Sequence, residues 1–276
     1  MTTYKNCRAL TRGLDILQML SIHGSATPAQ LAKLTGVHRT TVYRLLETLR
    51  ESGYVEKRAI DEGYRLAIKV RRLSDGYTDD SWIVESASKA LRDLQKTIVW
   101  PTDISVLSHD RMVIRESSHR YSPFSIHRAV IGNSWPVMTS ASGRAHLAFC
   151  DDTERENLIF ILGRSEIADN NRALEAPYVN AIVAKTRERG YAESVSECEE
   201  KISAISIPVQ SGNRVLGVMT TVFFTSTLAP HEAARLFLPP MRKALDRILT
   251  ELEANSDTPL PSLEPASRPF AQASLQ

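Results

Sequence analysis

The sequence lacks the features that mark secreted or membrane-bound proteins. It has no apolar run of about 18 residues, the minimum for a membrane-spanning helix, and its first stretch, MTTYKNCRAL, has no apolar signal-peptide core. The three cysteines, Cys7, Cys150 and Cys198, are scattered without a Cys-x-x-Cys spacing, so neither a disulfide framework nor a zinc site is predicted. We therefore expect a cytoplasmic globular protein with no membrane partner, no metal and no cofactor.

Signatures of catalysis are also missing. The histidines form no His-x-x-x-His or His-x-Glu pair, and the chain has no Gly-x-Ser-x-Gly elbow and no phosphate-binding glycine loop. Cys198 lies among Glu197, Glu199 and Glu200, whose negative charges raise a thiol pKa and oppose a nucleophilic role. We predict no catalytic residue, and an enzyme acting on a small acid is kept as the alternative from another functional class.

Net charge is small, +2 over 276 residues, but it is unevenly distributed. Residues 1–77 carry 13 Lys and Arg against 7 Asp and Glu, a net +6, and the remainder therefore carries −4. A basic N-terminal part on an acidic body suggests a polyanion as the partner of that part alone. The length fits two domains.

The basic part has the pattern of a winged helix-turn-helix. A first helix is predicted from leucines at helical spacing, Leu10, Leu14, Leu17 and Leu20. A second opens at a capping box that Thr27 starts and ends at Gly36, which tolerates a left-handed C-cap. A third runs from about His38 to Gly53, and the stretch YVEKRAIDEGYRLA after it predicts a β-hairpin, the wing.

The third helix has an apolar stripe at Val42, Leu45, Leu46 and Leu49 and an unusual opposite face of hydroxyls and guanidinium groups. Arginine can fork onto guanine and threonine can contact bases or phosphates in the major groove. We predict a recognition helix, although an ordinary surface helix is the alternative. The expected contacts to double-stranded DNA are Thr27, Arg39, Thr40, Thr41, Tyr43 and Arg44, with Arg58 and Arg65 of the hairpin on phosphates.

The rest of the chain mixes helices and strands, which predicts an α+β domain built on an antiparallel sheet. A helical stripe, Ala87, Leu91, Leu94 and Ile98, precedes two hairpins with turns at residues 109–110 and 212–213. Closing helices are expected to break at Pro239-Pro240. The proline-containing segment 255–276 is predicted to be a disordered tail.

Several residues of this domain suit the binding of a small acid. Ser142 and Gly143 stand just before a predicted helix, and helix N-termini bind anions, although a simple N-cap explains them too. Ser206 and Thr220 place hydroxyls on apolar strand faces, for either core hydrogen bonds or a pocket. Trp100 offers an aromatic plane, although core packing would also explain it.

These stretches resemble the IclR-type bacterial transcriptional regulators over almost the whole chain, especially in TPAQLAKLTGVHRTTVYRLLETLRESGYV and SASGRAHLAF. The resemblance implies a winged helix-turn-helix at 7–68, a linker helix at 69–82, a GAF-like effector domain at 83–254 and the tail at 255–276. It also implies homodimers, or dimers of dimers, that respond to small organic acids. The implied effector contacts are Trp100, Ser142, Gly143, Ser203, Ser206 and Thr220.

Within the family, the stretches IVWPTDIS, IHRAVIG and EEKISAISIPV are most similar to regulators of hydroxyphenylpropionate catabolism. The resemblance implies that the effector is a small aromatic carboxylate and that the protein activates an operon for aromatic degradation. A repressor that responds to another organic acid, and a constitutive repressor with a vestigial pocket, are the alternatives.

Overall fold

The computed structural model describes residues 6–58, 63–73, 86–127 and 130–254. The described residues form two compact units, one of residues 6–73 with His127 and one of the remainder. None of the helices in these ranges is apolar over a stretch long enough to cross a lipid bilayer. The predicted disordered tail and most of the predicted linker lie outside the described residues.

The N-terminal unit has three helices followed by a hairpin. The elements are α1 (Arg8–His23), α2 (Pro28–Thr35), α3 (Arg39–Glu51), β1 (Val55–Lys57) and β2 (Tyr64–Leu66). The two strands are antiparallel, and Tyr64 also forms an isolated bridge with Ala26, which ties the hairpin to the segment between α1 and α2. This order confirms the predicted winged helix-turn-helix.

Local sequence sets the ends of α2 as predicted. The Gln30 N–H donates to the Thr27 hydroxyl, and the Gln30 side-chain oxygen accepts from the Thr27 N–H, so the capping box is complete. Gly36 closes the helix with a φ of 65°, a left-handed conformation that glycine adopts without a Cβ penalty. The chain is thereby turned into α3.

The leucine spacing correctly predicts the helix α1, but not all of these leucines lie on its buried face. Leu10 and Leu14 are 63% and 56% exposed, whereas Ile16 and Met19 join Leu20 in the core of this unit. The first helix carries two overlapping apolar stripes, and α2 and α3 pack on the one that includes Ile16. Spacing alone identified the helix but could not select its buried face.

The C-terminal unit is built on a six-stranded sheet. Its helices are α4 (Ser88–Leu94), α5 (Ala141–Phe149), α6 (Asp152–Leu162), α7 (Ala176–Arg189) and α8 (Pro230–Ala254). Its strands are β3 (Thr102–Ser108), β4 (Arg111–Ser117), β5 (Ser134–Pro136), β6 (Ala192–Val195), β7 (Ile202–Ser211) and β8 (Arg214–Phe224). They pair antiparallel in the order β5-β4-β3-β8-β7-β6, which confirms the α+β class and both predicted hairpin turns.

Helices cover both faces of this sheet. The larger core joins α4 and α8 to one face through residues such as Ile104, Ile205 and Met219. The helix α5 packs on the other face and is itself covered by α6 and α7. The stripe predicted before Pro101, from Ala87 to Ile98, is buried in the larger core.

The predicted break at Pro239-Pro240 is wrong, because α8 runs without interruption through both prolines. Two proline nitrogens cannot donate to the carbonyls one turn earlier, those of Arg235 and Leu236. Both of these residues have exposed side chains, so their carbonyls lie on the side of the helix that water can reach. The opposite side, with Phe237 buried, remains packed on the sheet.

Candidate DNA interface and effector site

The helix α3 presents its polar face near its N-terminus. Val42 and Leu46 are fully buried, while Arg39, Thr40 and Arg44 are exposed. Thr40 and Arg44 are four residues apart and therefore lie on the same face. The arrangement leaves one apolar side for the core and one side of hydroxyl and guanidinium groups for a ligand.

The predicted contact residues differ in how much their side chains are already engaged. Arg39 donates to the Tyr43 hydroxyl at 3.3 Å, and the Thr40 hydroxyl lies 2.9 Å from His38 Nδ1. The Thr27 hydroxyl is used in the capping box of α2. The Arg44 guanidinium has no hydrogen-bond partner within the described residues. Arg44 is therefore the side chain best placed to form new hydrogen bonds with a base.

The two predicted arginines of the wing are held by neighbours. Arg58 is half-buried and donates to the Ser25 hydroxyl at 3.2 Å. Arg65 pairs across the hairpin with Glu56 at 2.5 Å. The Glu56 pair is exposed, so a phosphate could replace the carboxylate at small cost.

A row of buried polar side chains crosses the sheet on the side of α5. Ser206, Thr220, Asp103 and Ser117 are successive register partners on β7, β8, β3 and β4, so they share one face. The Ser206 and Thr220 hydroxyls are 2.8 Å apart. We name these four residues the polar row.

Asp103 is the member of the polar row with unused hydrogen-bonding capacity. Its Oδ2 lies 3.4 Å from His119 Nε2, but its buried Oδ1 has no partner among the described residues. The buried Ser105 hydroxyl, two residues further along β3, also has none in this part of the chain. An unpaired buried polar atom costs about 1–3 kcal/mol, so a ligand that donates to Asp103 would be favoured.

The start of α5 differs from the prediction. The helix begins at Ala141, so Ser142 and Gly143 lie in its first turn and not before it. The Gly143 N–H is not free, because it donates to the N-cap hydroxyl of Ser140 at 3.0 Å. Gly143 is required by packing, since a Cβ there would lie well under 3.0 Å from the backbone of Val137.

Two of the six predicted effector contacts lie elsewhere. Trp100 belongs to the core shared with α4 and α8, where it stacks on Phe124 at 4.6 Å and meets the edge of Phe224. Ser203 is three residues from Ser206 and therefore faces the opposite side of β7, where it bonds Thr225 at 2.8 Å. Of the six predicted effector contacts, only Ser206 and Thr220 belong to the polar row, where their hydroxyls contact each other.

Arg144 is a buried cation that fixes α5 in place. It donates to the carbonyls of Met138 and Glu193 and to the hydroxyl of Tyr178. Its two Nη atoms also pair with both oxygens of Glu197, at 2.6 and 2.5 Å. No local motif marks this residue in the sequence, because its five acceptors belong to four residues in three separate stretches of the chain.

Cys198 is unsuited to nucleophilic chemistry, as predicted. Burial is the main cause that raises the pKa of its thiol to about 11, and the nearby Glu197 adds to the rise. The thiol is therefore protonated at neutral pH. The neighbouring charges, which the sequence suggested as the cause, contribute less to this rise in pKa than burial does.

Both units match models of one protein family. The IclR helix-turn-helix domain matches residues 9–59. The bacterial transcriptional regulator IclR C-terminal domain matches residues 76–249. The first match spans nearly all of α1 through β1, and the second spans α4 to most of α8, with β2 lying between the two matches.

Individual relatives are similar over nearly their whole length. The chain is 25% identical over 248 residues to the DNA-binding transcriptional repressor YiaJ of Escherichia coli (strain K12), covering 89% of this chain and 88% of the relative. It is 24% identical over 249 residues to the p-hydroxybenzoate hydroxylase transcriptional activator of Acinetobacter baylyi, covering 87% and 89%.

A solved structure has the same fold. An IclR homolog from Microbacterium hydrocarbonoxydans, complexed with 4-hydroxybenzoate, has a TM-score of 0.56 and 21% identity, covering 89% of this chain and 99% of that one. The fold is thus shared with a solved IclR homolog, and the two family models cover most of the sequence. The chain belongs to the IclR family of bacterial DNA-binding transcriptional regulators.

Proposed function

We propose that the protein regulates an operon for aromatic degradation and that its effector is a small hydroxylated aromatic carboxylate. The observation that carries the choice of effector is Asp103 Oδ1, an inner member of the polar row, which is buried and has no partner among the described residues. It is an acceptor in need of a donor, and a phenolic hydroxyl supplies one. A hydroxyphenylpropionate has this hydroxyl at one end of the molecule and its carboxylate at the other.

The proposed orientation follows from charge. A buried carboxylate repels another, so the ring hydroxyl would face Asp103 and the effector carboxylate would point away from it. The first turn of α5 offers N–H groups at Ala141 and Ser142, ahead of the first helical bond, which runs from Arg144 N–H to Ser140 O. Helix N-termini favour anions.

Two relatives support an aromatic effector. One is named as a transcriptional activator for p-hydroxybenzoate hydroxylase, and a solved homolog holds 4-hydroxybenzoate. Both names concern hydroxylated aromatic acids. The first also favours activation for this chain, whereas the similarity to a repressor keeps repression as the alternative direction.

The effector would act by shifting an equilibrium. The polar row is buried, so a ligand reaches it only when a covering group such as His119 moves. A ligand that binds the opened form better stabilises that form. We propose that this change alters the geometry of a homodimer, or of a dimer of dimers, on a two-fold operator with half-sites about 10 base pairs apart or a multiple of that spacing.

Replacing Ser206 with alanine should show whether its hydroxyl contributes to effector binding or only to hydrogen bonding within the core. The variant leaves the Thr220 hydroxyl without its partner and removes one hydroxyl from the proposed site, so we expect hydroxylated aromatic acids to bind about 10-fold more weakly. Isothermal titration with 3-(3-hydroxyphenyl)propionate and 4-hydroxybenzoate measures this. Phenylpropionate and benzoate lack the ring hydroxyl, so they should bind to the unmodified chain at least about 10-fold more weakly than their hydroxylated counterparts do.

Ser203→Ala is the matched control. It removes a buried serine from the same strand, with a threonine partner at the same 2.8 Å distance, but on the opposite face. It should leave effector affinity unchanged. Equal losses in both variants would contradict the proposed site. Binding of short aliphatic acids alone would contradict the aromatic effector and leave the regulator assignment intact.

Replacing Arg44 with alanine should remove sequence readout. We expect a loss of about 1–3 kcal/mol on the specific operator, because a bidentate contact to a base is worth about that much. The operator can be selected from random DNA with the unmodified protein, and fluorescence anisotropy then compares specific and random duplexes.

Arg50→Ala serves as the control on the same helix. Arg50 lies about 9 Å further along the axis, at 1.5 Å per residue, and pairs with Glu47. It should leave the ratio of specific to random affinity unchanged. An unchanged ratio in Arg44→Ala would exclude the proposed role of Arg44.

A further inference from the structure

Three potential metal ligands converge where α5 meets α6. His146 lies in the last turn of α5, Cys150 is its C-cap, and Glu154 is in the first turn of α6. One ligand atom from each lies within 4.8 Å of the other two. Their spacing is His-x-x-x-Cys-x-x-x-Glu, which neither a His-x-x-x-His nor a Cys-x-x-Cys motif describes.

His146 has an incomplete set of hydrogen bonds. Its side chain is 4% exposed, and its Nε2 lies 2.9 Å from Glu154 Oε1. Its Nδ1 is buried with no hydrogen-bond partner in the described ranges. Leaving a buried ring nitrogen unpaired is unfavourable, so the ring has capacity for a further ligand.

A cavity of about 410 Å³ opens beside these residues. His146 and Glu154 line it together with Asp151, and Arg214 is the one Lys or Arg among the described residues of its wall. The carboxylates outnumber the guanidinium group, which favours a cation. The space also admits a water molecule, the usual fourth ligand where a protein supplies three.

We propose that His146, Cys150 and Glu154 bind one transition-metal ion, with Zn²⁺ the best match to their donor atoms. Imidazole nitrogen, thiolate sulfur and carboxylate oxygen are all zinc ligands, whereas Mg²⁺ and Ca²⁺ require oxygen. Tetrahedral zinc places neighbouring ligand atoms roughly 3.5 Å apart. The Glu154 side chain is partly exposed and can move to close the remaining gap.

The ion would join α5 and α6 at the point where the helical hydrogen bonding is interrupted. Cys150 ends α5, and the Asp151 side chain caps α6. Arg187 and Gln210 donate to carbonyls in the last turn of α5, and a shared ion would add a direct link from α5 to α6. Zinc would bind Cys150 as the thiolate and release its proton. Binding the folded form would raise its stability.

Cobalt and zinc titrations of the full chain test the proposal. Cys7→Ser/Cys198→Ser leaves Cys150 as the sole thiol. In that background we expect one equivalent of Co²⁺ to produce a thiolate-to-cobalt charge-transfer band in the near ultraviolet, which Zn²⁺ removes and Mg²⁺ does not. Zinc should also raise the melting temperature.

Removing a ligand should abolish these signals. Further substitution of Cys150→Ser should eliminate the band and weaken zinc binding at least about 100-fold, since losing even an outer-shell partner costs about 10–100-fold. Glu154→Gln should weaken zinc binding about 10-fold or more, and Glu156→Gln, on an exposed residue of the same helix, should not.

Circular dichroism checks the fold of each variant, and Glu154→Gln decides the question if Cys150→Ser fails to fold. The proposal is overturned if the band persists without Cys150, if Glu154→Gln and Glu156→Gln bind zinc equally, or if the unmodified chain binds no zinc at micromolar concentrations.

Discussion

Gly143→Ala is expected to destabilise the C-terminal unit by about 3 kcal/mol or more. The added methyl group would overlap the Cα, carbonyl carbon and carbonyl oxygen of Val137, so the start of α5 would have to move away from the segment before it. Overpacking a core costs about 1–3 kcal/mol and more where backbone must shift. The normal gain of about 1 kcal/mol from replacing a helical glycine with alanine is too small to compensate. Urea unfolding monitored by circular dichroism measures the change.

Gly163→Ala is the control for this overlap. A Cβ at Gly163 would also lie under 3.0 Å from a neighbour, but that neighbour is the tip of the exposed Leu174 side chain, which can rotate. We expect a change within about 1 kcal/mol, the range of an ordinary surface substitution. Similar losses in both variants would mean that the backbone of Val137 is not the obstacle at Gly143.

Arg144→Met should destabilise the same unit by about 3–5 kcal/mol. The methionine keeps the apolar stem but removes every donor from Glu197 and from the carbonyls of Met138 and Glu193. Breaking a buried ion pair by deleting one partner typically costs this amount. Glu197 is partly exposed and can recover some hydration, which favours the lower end.

Arg144→Lys should recover little of this stability, because a single ammonium group cannot reproduce the planar fork that holds both oxygens of Glu197. Arg189→Met provides the comparison at the surface. Arg189 pairs with Glu193 but is 41% exposed, so its loss should cost less than about 1 kcal/mol. Equal unfolding midpoints for Arg144→Met and the unmodified protein would contradict our inference that the hydrogen bonds of Arg144 fix α5 in place.

The N-terminal unit could be predicted well because its signals are local. The capping box at Thr27, the left-handed turn at Gly36 and the apolar positions of α3 each act over a few residues. The phase of α1 could not be predicted in the same way. Exposing Leu14 and burying Ile16 is decided by where α2 and α3 pack, which is tertiary information.

The polar row could not be predicted from the sequence for a related reason. Asp103 and Thr220 become neighbours only because β3 pairs with β8, and nothing near either residue specifies that pairing. The different faces of Ser203 and Ser206, in contrast, follow from strand alternation and were available from the sequence. The candidate site was therefore half-predicted: its hydroxyls were found, and its carboxylate was not.

The pairing of β3 with β8 also determines when this sheet can be completed on the ribosome. Ser105 is the register partner of Val218, 113 residues later in the chain. At about 5–20 residues per second, synthesis of the intervening segment takes about 6 to 23 s. Throughout that interval the β3–β4 hairpin has an open edge, where a foreign strand can add. The nascent domain is therefore most vulnerable to mispairing before β8 has emerged, and the β7–β8 hairpin ends that period when β8 pairs with the open edge of β3.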